Sequence, residues 1–101
     1  MRGKAKARWI LAAIAQMTQS SRDAADILVA HGAHAATDVT GFGLAGHLLE
    51  MCRGAGLAAH LKWSDVPVMP EAIELVKAGV YTGASTRNWA GYGKEVTLAA
   101  G

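Results

Sequence analysis

Thr37-Asp38-Val39-Thr40-Gly41-Phe42-Gly43-Leu44-Ala45-Gly46-His47 leads from a short apolar segment through closely spaced glycines into an amphipathic run. Residues 33–39 are short and apolar, which predicts a strand that turns at Thr40-Gly41. Beyond the turn, Leu44, Leu48, Met51 and Cys52 share one face of a helix expected over 43–53, which Gly54 and Gly56 end. A strand leading into a helix N-terminus is where open α/β sheets bind ligands. The unpaired N–H groups there suit a phosphate. Gly41, Gly43 and Gly46 also satisfy G-x-G-x-x-G, the dinucleotide fingerprint, with Asp65 at a distance that suits a ribose-binding acid. Asp38 speaks against that reading, because a carboxylate three residues before Gly41 repels a pyrophosphate unless a cation lies between them. Magnesium takes one or two carboxylates together with phosphate oxygens and waters, so Asp38 is a candidate Mg2+ ligand. Its spacing is equally that of a helix-capping or turn carboxylate, and both readings stay open on spacing alone.

Outward from this stretch, Ile10, Ala13, Ile14 and Met17 recur at helical spacing and predict a helix over 4–17. Ser20 with Asp23 resembles a capping box that opens a second helix running to His31, with Gly32 as its stop. Leu57, Ala59, Leu61 and Trp63 alternate with Ala58, His60 and Lys62, the period of a half-buried strand. Pro70 suits the first turn of a helix that ends near Ala78-Gly79. Residues 82–93 are rich in Gly, Ser, Thr and Asn and are expected to be an extended loop, and 96–98 a last short strand. The element order predicts an α/β (α+β layered) fold in which helices pack on a small mixed sheet. So few strands make a poor sheet, which suggests a truncated arrangement.

The chain has 101 residues, 51% of them apolar, enough for one small domain and a packed core. No repeat or linker divides it, so 1–101 is expected to be a single domain. The net charge of +2 comes from Arg2, Lys4, Lys6 and Arg8; from Trp9 onward acids outnumber bases, which argues against a nucleic-acid partner. No apolar run approaches the roughly 18 residues of a membrane span. No small-residue cleavage site follows the basic start, so no signal peptide is expected. The single cysteine, Cys52, suits a cytoplasmic location and, among Met51 and Leu48, an inert buried thiol.

The string T-D-V-T-G-F-G-L-A-G-H-L-L-E-M-C closely resembles the signature of the selenophosphate synthetases, in the C-terminal domain of that family. The Arg8-Trp9-Ile10 helix before it, and Val66-Pro67 and Arg87-Asn88 after it, appear in the family's order, so the resemblance covers roughly 7–93. It implies the layered C-terminal domain shared with aminoimidazole ribonucleotide synthetases. It also implies an enzyme, usually a homodimer, that turns ATP, selenide and water into selenophosphate, AMP and phosphate. Aspartates from both domains of that enzyme hold Mg2+ ions bridging the nucleotide phosphates, and Asp38 is the one that falls on a matching position here. The reactive Cys or selenocysteine, its neighbouring Lys and most metal-binding aspartates belong to an N-terminal domain with no counterpart in this sequence. The family's later Asp-Pro-Gln-Thr-Ser-Gly-Gly segment has none either. The resemblance therefore implies a partial domain that is inactive alone.

Other residues have plainer readings beside functional ones. A zinc site from His34, Asp38 and His47 is conceivable but matches no recurring ligand pattern. His31 suits a helix C-terminus, and His60 lies on the polar side of its segment. Arg87 and Asn88 can contact a phosphate or merely stabilise a surface loop. Trp9, Trp63, Trp89, Tyr81 and Tyr92 read as core or interface anchors. The expectation that differs in class is a non-catalytic interaction or dimerisation module working through exposed apolar surface.

Overall fold

The computed structural model describes residues 6–99. Five α-helices form: α1 (Ala7–Thr18), α2 (Arg22–Ala30), α3 (Gly43–Ala55), α4 (Pro70–Lys77) and α5 (Gly83–Tyr92), with short 3-10 turns at Trp63–Asp65 and Gly93–Glu95. They belong to two compact units. One takes the described residues up to His34 together with Val68–Gly79, hence α1, α2 and α4. The other takes Ala35–Pro67 and the described residues from Val80, hence α3, α5 and both 3-10 turns.

In the first unit, α1 half-buries Trp9, Ile10 and Ala13, while Ile14 and Met17 stay exposed. Lys4 and Ala5, where the sequence places the start of this helix, lie outside the described residues. The capping box does not form as expected. Ser20 Oγ accepts from the Arg22 N–H at 3.2 Å, and Ser21 occupies the cap position without a side-chain hydrogen bond. α2 ends as predicted at Gly32, where φ is 76°. There Gly32 N–H bonds Val29 O at 3.1 Å and Ala33 N–H bonds Leu28 O at 3.0 Å, the paired closure of a Schellman motif. α4 starts with Pro70 in its first turn, as expected.

In the second unit, α3 closes in the same way. Gly56 sits at φ 68°, with Leu57 N–H on Cys52 O at 3.0 Å. A Cβ at Gly56 meets nothing within 4 Å, so only the left-handed backbone opposes a side chain. Gly56→Ala should therefore cost about 1–2 kcal/mol, read as fraying of the last turn of α3 in amide hydrogen exchange. A rate unchanged at Arg53 to Leu57 contradicts this.

The expected sheet is absent: no strand forms among the described residues. Segments 33–39, 57–62 and 96–98 have no regular structure, and no backbone hydrogen bond joins one of them to another among the described residues. A strand is stable only when its N–H and C=O groups meet a neighbour. Segment 33–39, with Ala33, Ala35 and Ala36, offers little apolar area to hold such a neighbour, and 57–62 leaves its larger Leu57 and Leu61 exposed without one. The α/β expectation is thus corrected to an all-helical arrangement. The second correction is α5, which stands where an extended loop was expected. Both α5 and the 3-10 turn after it pack within the second unit, α5 against α3. No apolar side chain is fully buried among the described residues, and Leu57, Trp63 and Tyr81 are among the large exposed ones.

Candidate functional site

The second unit carries the glycine-rich turn and its surroundings. Gly43 N–H bonds Thr40 O at 2.9 Å, closing a turn that delivers the chain into α3. Gly43 adopts φ 76° at the first helical position. Thr40 Oγ1 and His47 Nε2 share a hydrogen bond of 2.9 Å, bringing the second turn of α3 back onto the residue before Gly41. Asn88 of α5 donates from Nδ2 to Gly41 O at 2.9 Å. Consecutive residues of the turn are therefore held by side chains from both helices.

Behind the turn, aromatic rings set the distance between α3 and α5. The Phe42 ring meets Tyr92 edge-on at 6.3 Å between centroids and His47 at 5.8 Å. Gly46 leaves room for this packing, since a Cβ built there lies 2.9 Å from Tyr92 Cε2 and 3.2 Å from Phe42 Cβ. His47 is 9% exposed, the buried polar side chain among the described residues. A mostly apolar cavity of about 250 Å3 lies beside the turn, with Phe42, Leu44, Ser85, Asn88, Trp89 and Val96 among its walls. Arg53 and Glu95 form an ion pair farther along α3.

Asp38 lies two residues before this turn and is exposed. Among the described residues no cationic group pairs with its carboxylate, and no N–H or O–H donates to it. The cap position of α3 is Phe42, without a side-chain hydrogen bond, so Asp38 does not cap this helix. The donor chemistry fits Mg2+ in part, because one exposed carboxylate is the share such an ion takes from a protein segment alongside phosphate and water. A complete metal centre does not assemble here: among the described residues no three His, Cys, Asp or Glu side chains are placed to hold an ion. The zinc trio of His34, Asp38 and His47 is therefore not found among the described residues, and His47 is engaged with Thr40.

The dinucleotide fingerprint lacks its context. No strand precedes Gly41 among the described residues, and Gly46 serves ring packing. Asp65 is ion-paired with Lys62 at 3.9 Å. Arg87 lies on exposed α5 surface, with its guanidinium back over Gly83. Cys52 is half-buried on α3. His31 Nδ1 bonds Ile27 O at 2.8 Å at the end of α2.

The Thr40–His47 and Gly41–Asn88 links carry little local sequence signal. The first spans seven residues and the second 47. What hints at them is a histidine in the second turn of an amphipathic helix, and an amide in a segment too polar to pack by itself.

A family model described as AIR synthase related protein, C-terminal domain, matches residues 11–83. A selenide, water dikinase of Dechloromonas aromatica (strain RCB) is 61% identical over 70 residues, covering 69% of this chain and 20% of that protein. One from Paraburkholderia xenovorans (strain LB400) is 47% identical over 89 residues, 88% of this chain and 25% of that protein. One from Pseudomonas straminea is 48% identical over 82 residues, 81% and 23% respectively. The chain thus spans about a fifth to a quarter of the length of these curated relatives. No solved structure gives a significant match. With most of its length matched by that model, and with relatives of this identity, the chain belongs to the family of AIR synthase related C-terminal domains.

Proposed function

We propose that residues 1–101 act as part of the C-terminal-type domain of a selenophosphate synthetase, which converts ATP, selenide and water to selenophosphate, AMP and phosphate. In this reading Asp38 supplies one carboxylate to Mg2+, and an N-terminal domain and its aspartates supply the remaining protein ligands. The observation that carries it is an exposed carboxylate, without an ion-pair or hydrogen-bond partner among the described residues, just ahead of a turn pinned at Thr40 and Gly41, in a chain 61% identical over 70 residues to a selenide, water dikinase. When bound, Mg2+ neutralises charge on the phosphoryl group being transferred. Asp38 would hold and orient that ion. The complete enzyme is a homodimer in the cytoplasm, without a nucleic-acid or membrane partner. Among the described residues no helix is long and apolar enough to cross a membrane.

The test is a graft. This chain replaces the matching segment of the D. aromatica selenide, water dikinase, and selenophosphate formation is followed with ATP, selenide and Mg2+. We expect activity within about tenfold of the parent, since 61% of the 70 aligned residues are identical. The 101-residue chain alone should show no ATP turnover, because one carboxylate does not complete a magnesium shell. A folded but inactive graft, or turnover by the isolated chain, overturns the reading.

The exposed Trp63, at 73%, and Leu57, at 72%, favour a second reading, a non-catalytic association module. Concentration-dependent self-association of the chain together with an inactive graft would favour it.

A further inference from the structure

We propose that Thr40, His47 and Asn88 are positioning residues for Asp38: their hydrogen bonds fix the turn after Asp38 and so set where its carboxylate can meet a Mg2+–nucleotide. The inference rests on the reading of Asp38 as a metal ligand and adds the residues that make it effective.

Asp38 itself lies in segment 33–39, which has no regular structure and is exposed throughout. Nothing among the described residues holds its carboxylate. The nearest restraint along the chain is the turn, closed by Gly43 N–H on Thr40 O. That single backbone bond is exposed to competition from water. Two side chains reinforce it from different elements, His47 on the Thr40 hydroxyl and Asn88 on the Gly41 carbonyl, each at 2.9 Å. His47 is the better protected, being 9% exposed and packed beside the Phe42 ring. A hydrogen bond shielded from water resists opening more than an exposed one. Groups that orient a metal ligand typically change metal affinity by about 10–100-fold when lost, far more than their small contribution to folding suggests.

Phe42, Gly46 and Tyr92 also pack α3 on α5. Substitutions at Thr40, which stands outside both helices, thus separate positioning from fold. Thr40→Val keeps the shape and removes the hydroxyl, whereas Thr40→Ser keeps the hydroxyl and removes a methyl.

The experiment uses the grafted dikinase. T40V should raise the Mg2+ concentration for half-maximal rate about three- to tenfold, with the rate at saturating Mg2+ within about twofold of the parent. T40S should stay within about twofold in both. H47Q, whose side-chain amide can still reach Thr40, should lie between H47A and the parent, and N88D, which lacks the donor, should resemble T40V. A readout independent of turnover is amide hydrogen exchange at Gly43 without metal, whose N–H closes the turn on Thr40 O and should exchange about three- to tenfold faster in T40V and not in T40S. If D38N is harmless, the metal-ligand reading itself fails. If D38N abolishes activity while T40V and T40S behave alike in both readouts, the positioning role fails and the ligand reading stands. Faster exchange in T40V with an unmoved Mg2+ midpoint also overturns the proposal, since the turn would then be fixed without serving Asp38.

Discussion

Asp38→Asn in the grafted dikinase should lower selenophosphate formation at least about a hundredfold, the scale of losing one preorganised charge from a phosphoryl-transfer site. Its thermal midpoint should stay within a few degrees of the parent. Asparagine is the informative replacement because it matches aspartate in shape and caps helices or turns equally well. If the carboxylate only stabilised the turn, asparagine would restore the function. The structure already weakens that alternative, since Phe42 occupies the α3 cap position and no described donor bonds Asp38. A neutral amide oxygen is a far poorer magnesium ligand than a carboxylate, because the hard cation is held chiefly by charge. The same variant should need more Mg2+ for whatever rate remains. Activity within about threefold of the parent at ordinary Mg2+ would show that this carboxylate does not meet the metal.

That Asp38 stands out in the sequence, while the residues around it do not, has a physical basis. An acid shortly before a run of glycines conflicts with a phosphate unless a cation intervenes, and that conflict is visible in a string of residues. α3 and α4 were legible for a similar reason: their apolar spacing, Pro70 and Gly56 act within a few residues of one another. The first turn of α2 was legible only in outline. Ser20 makes its bond to the nearest N–H, Arg22, and not to the one expected three residues on.

What the sequence hides is decided by distant partners. Residues 83–92 read as a loop because Ser85, Thr86, Asn88 and Gly91 are weak helix formers. They are nonetheless helical, with Asn88 bonded to a carbonyl 47 residues away and Tyr92 against Gly46. The converse error is the alternation at 57–63. Its period is that of a strand, but a period shows only which side chains share a face, and a strand also needs a neighbour to accept its hydrogen bonds. Leu57, Leu61 and Trp63 are left 72%, 56% and 73% exposed, as expected of an unpartnered apolar face. Trp89, at 54%, is likewise largely exposed although it lies against Gly93. Trp9 and Tyr92 are half-buried. Of the five aromatic residues read as core or interface anchors, Trp63, Trp89 and Tyr81 thus stand exposed.

Two glycines of α3 should respond to substitution with opposite signs. Gly54→Ala meets no atom within 4 Å and replaces the most flexible residue inside a helix, so it should stabilise the helix by about 0.5–1 kcal/mol. Gly46→Val should destabilise by about 2 kcal/mol, because overpacking a close contact outweighs the small gain in helix propensity. Its first added carbon already lies 2.9 Å from the Tyr92 ring and 3.2 Å from Phe42 Cβ. The ring end of Tyr92 can swing aside, but Phe42 Cβ is fixed to the backbone of the turn and cannot. Strain is therefore relieved by moving Phe42, which stands next to Gly41 and carries the turn with it. Gly46→Ala should fall between the two, its propensity gain of about 1 kcal/mol offsetting much of the clash. Urea unfolding of the 101-residue chain, followed by far-ultraviolet circular dichroism, ranks the variants. In the grafted enzyme Gly46→Val should in addition raise the Mg2+ requirement, a second consequence of displacing the turn. Equal stability for Gly46→Val and Gly54→Ala would mean that α3 and α5 do not approach as closely as the Phe42–Gly46–Tyr92 contact requires.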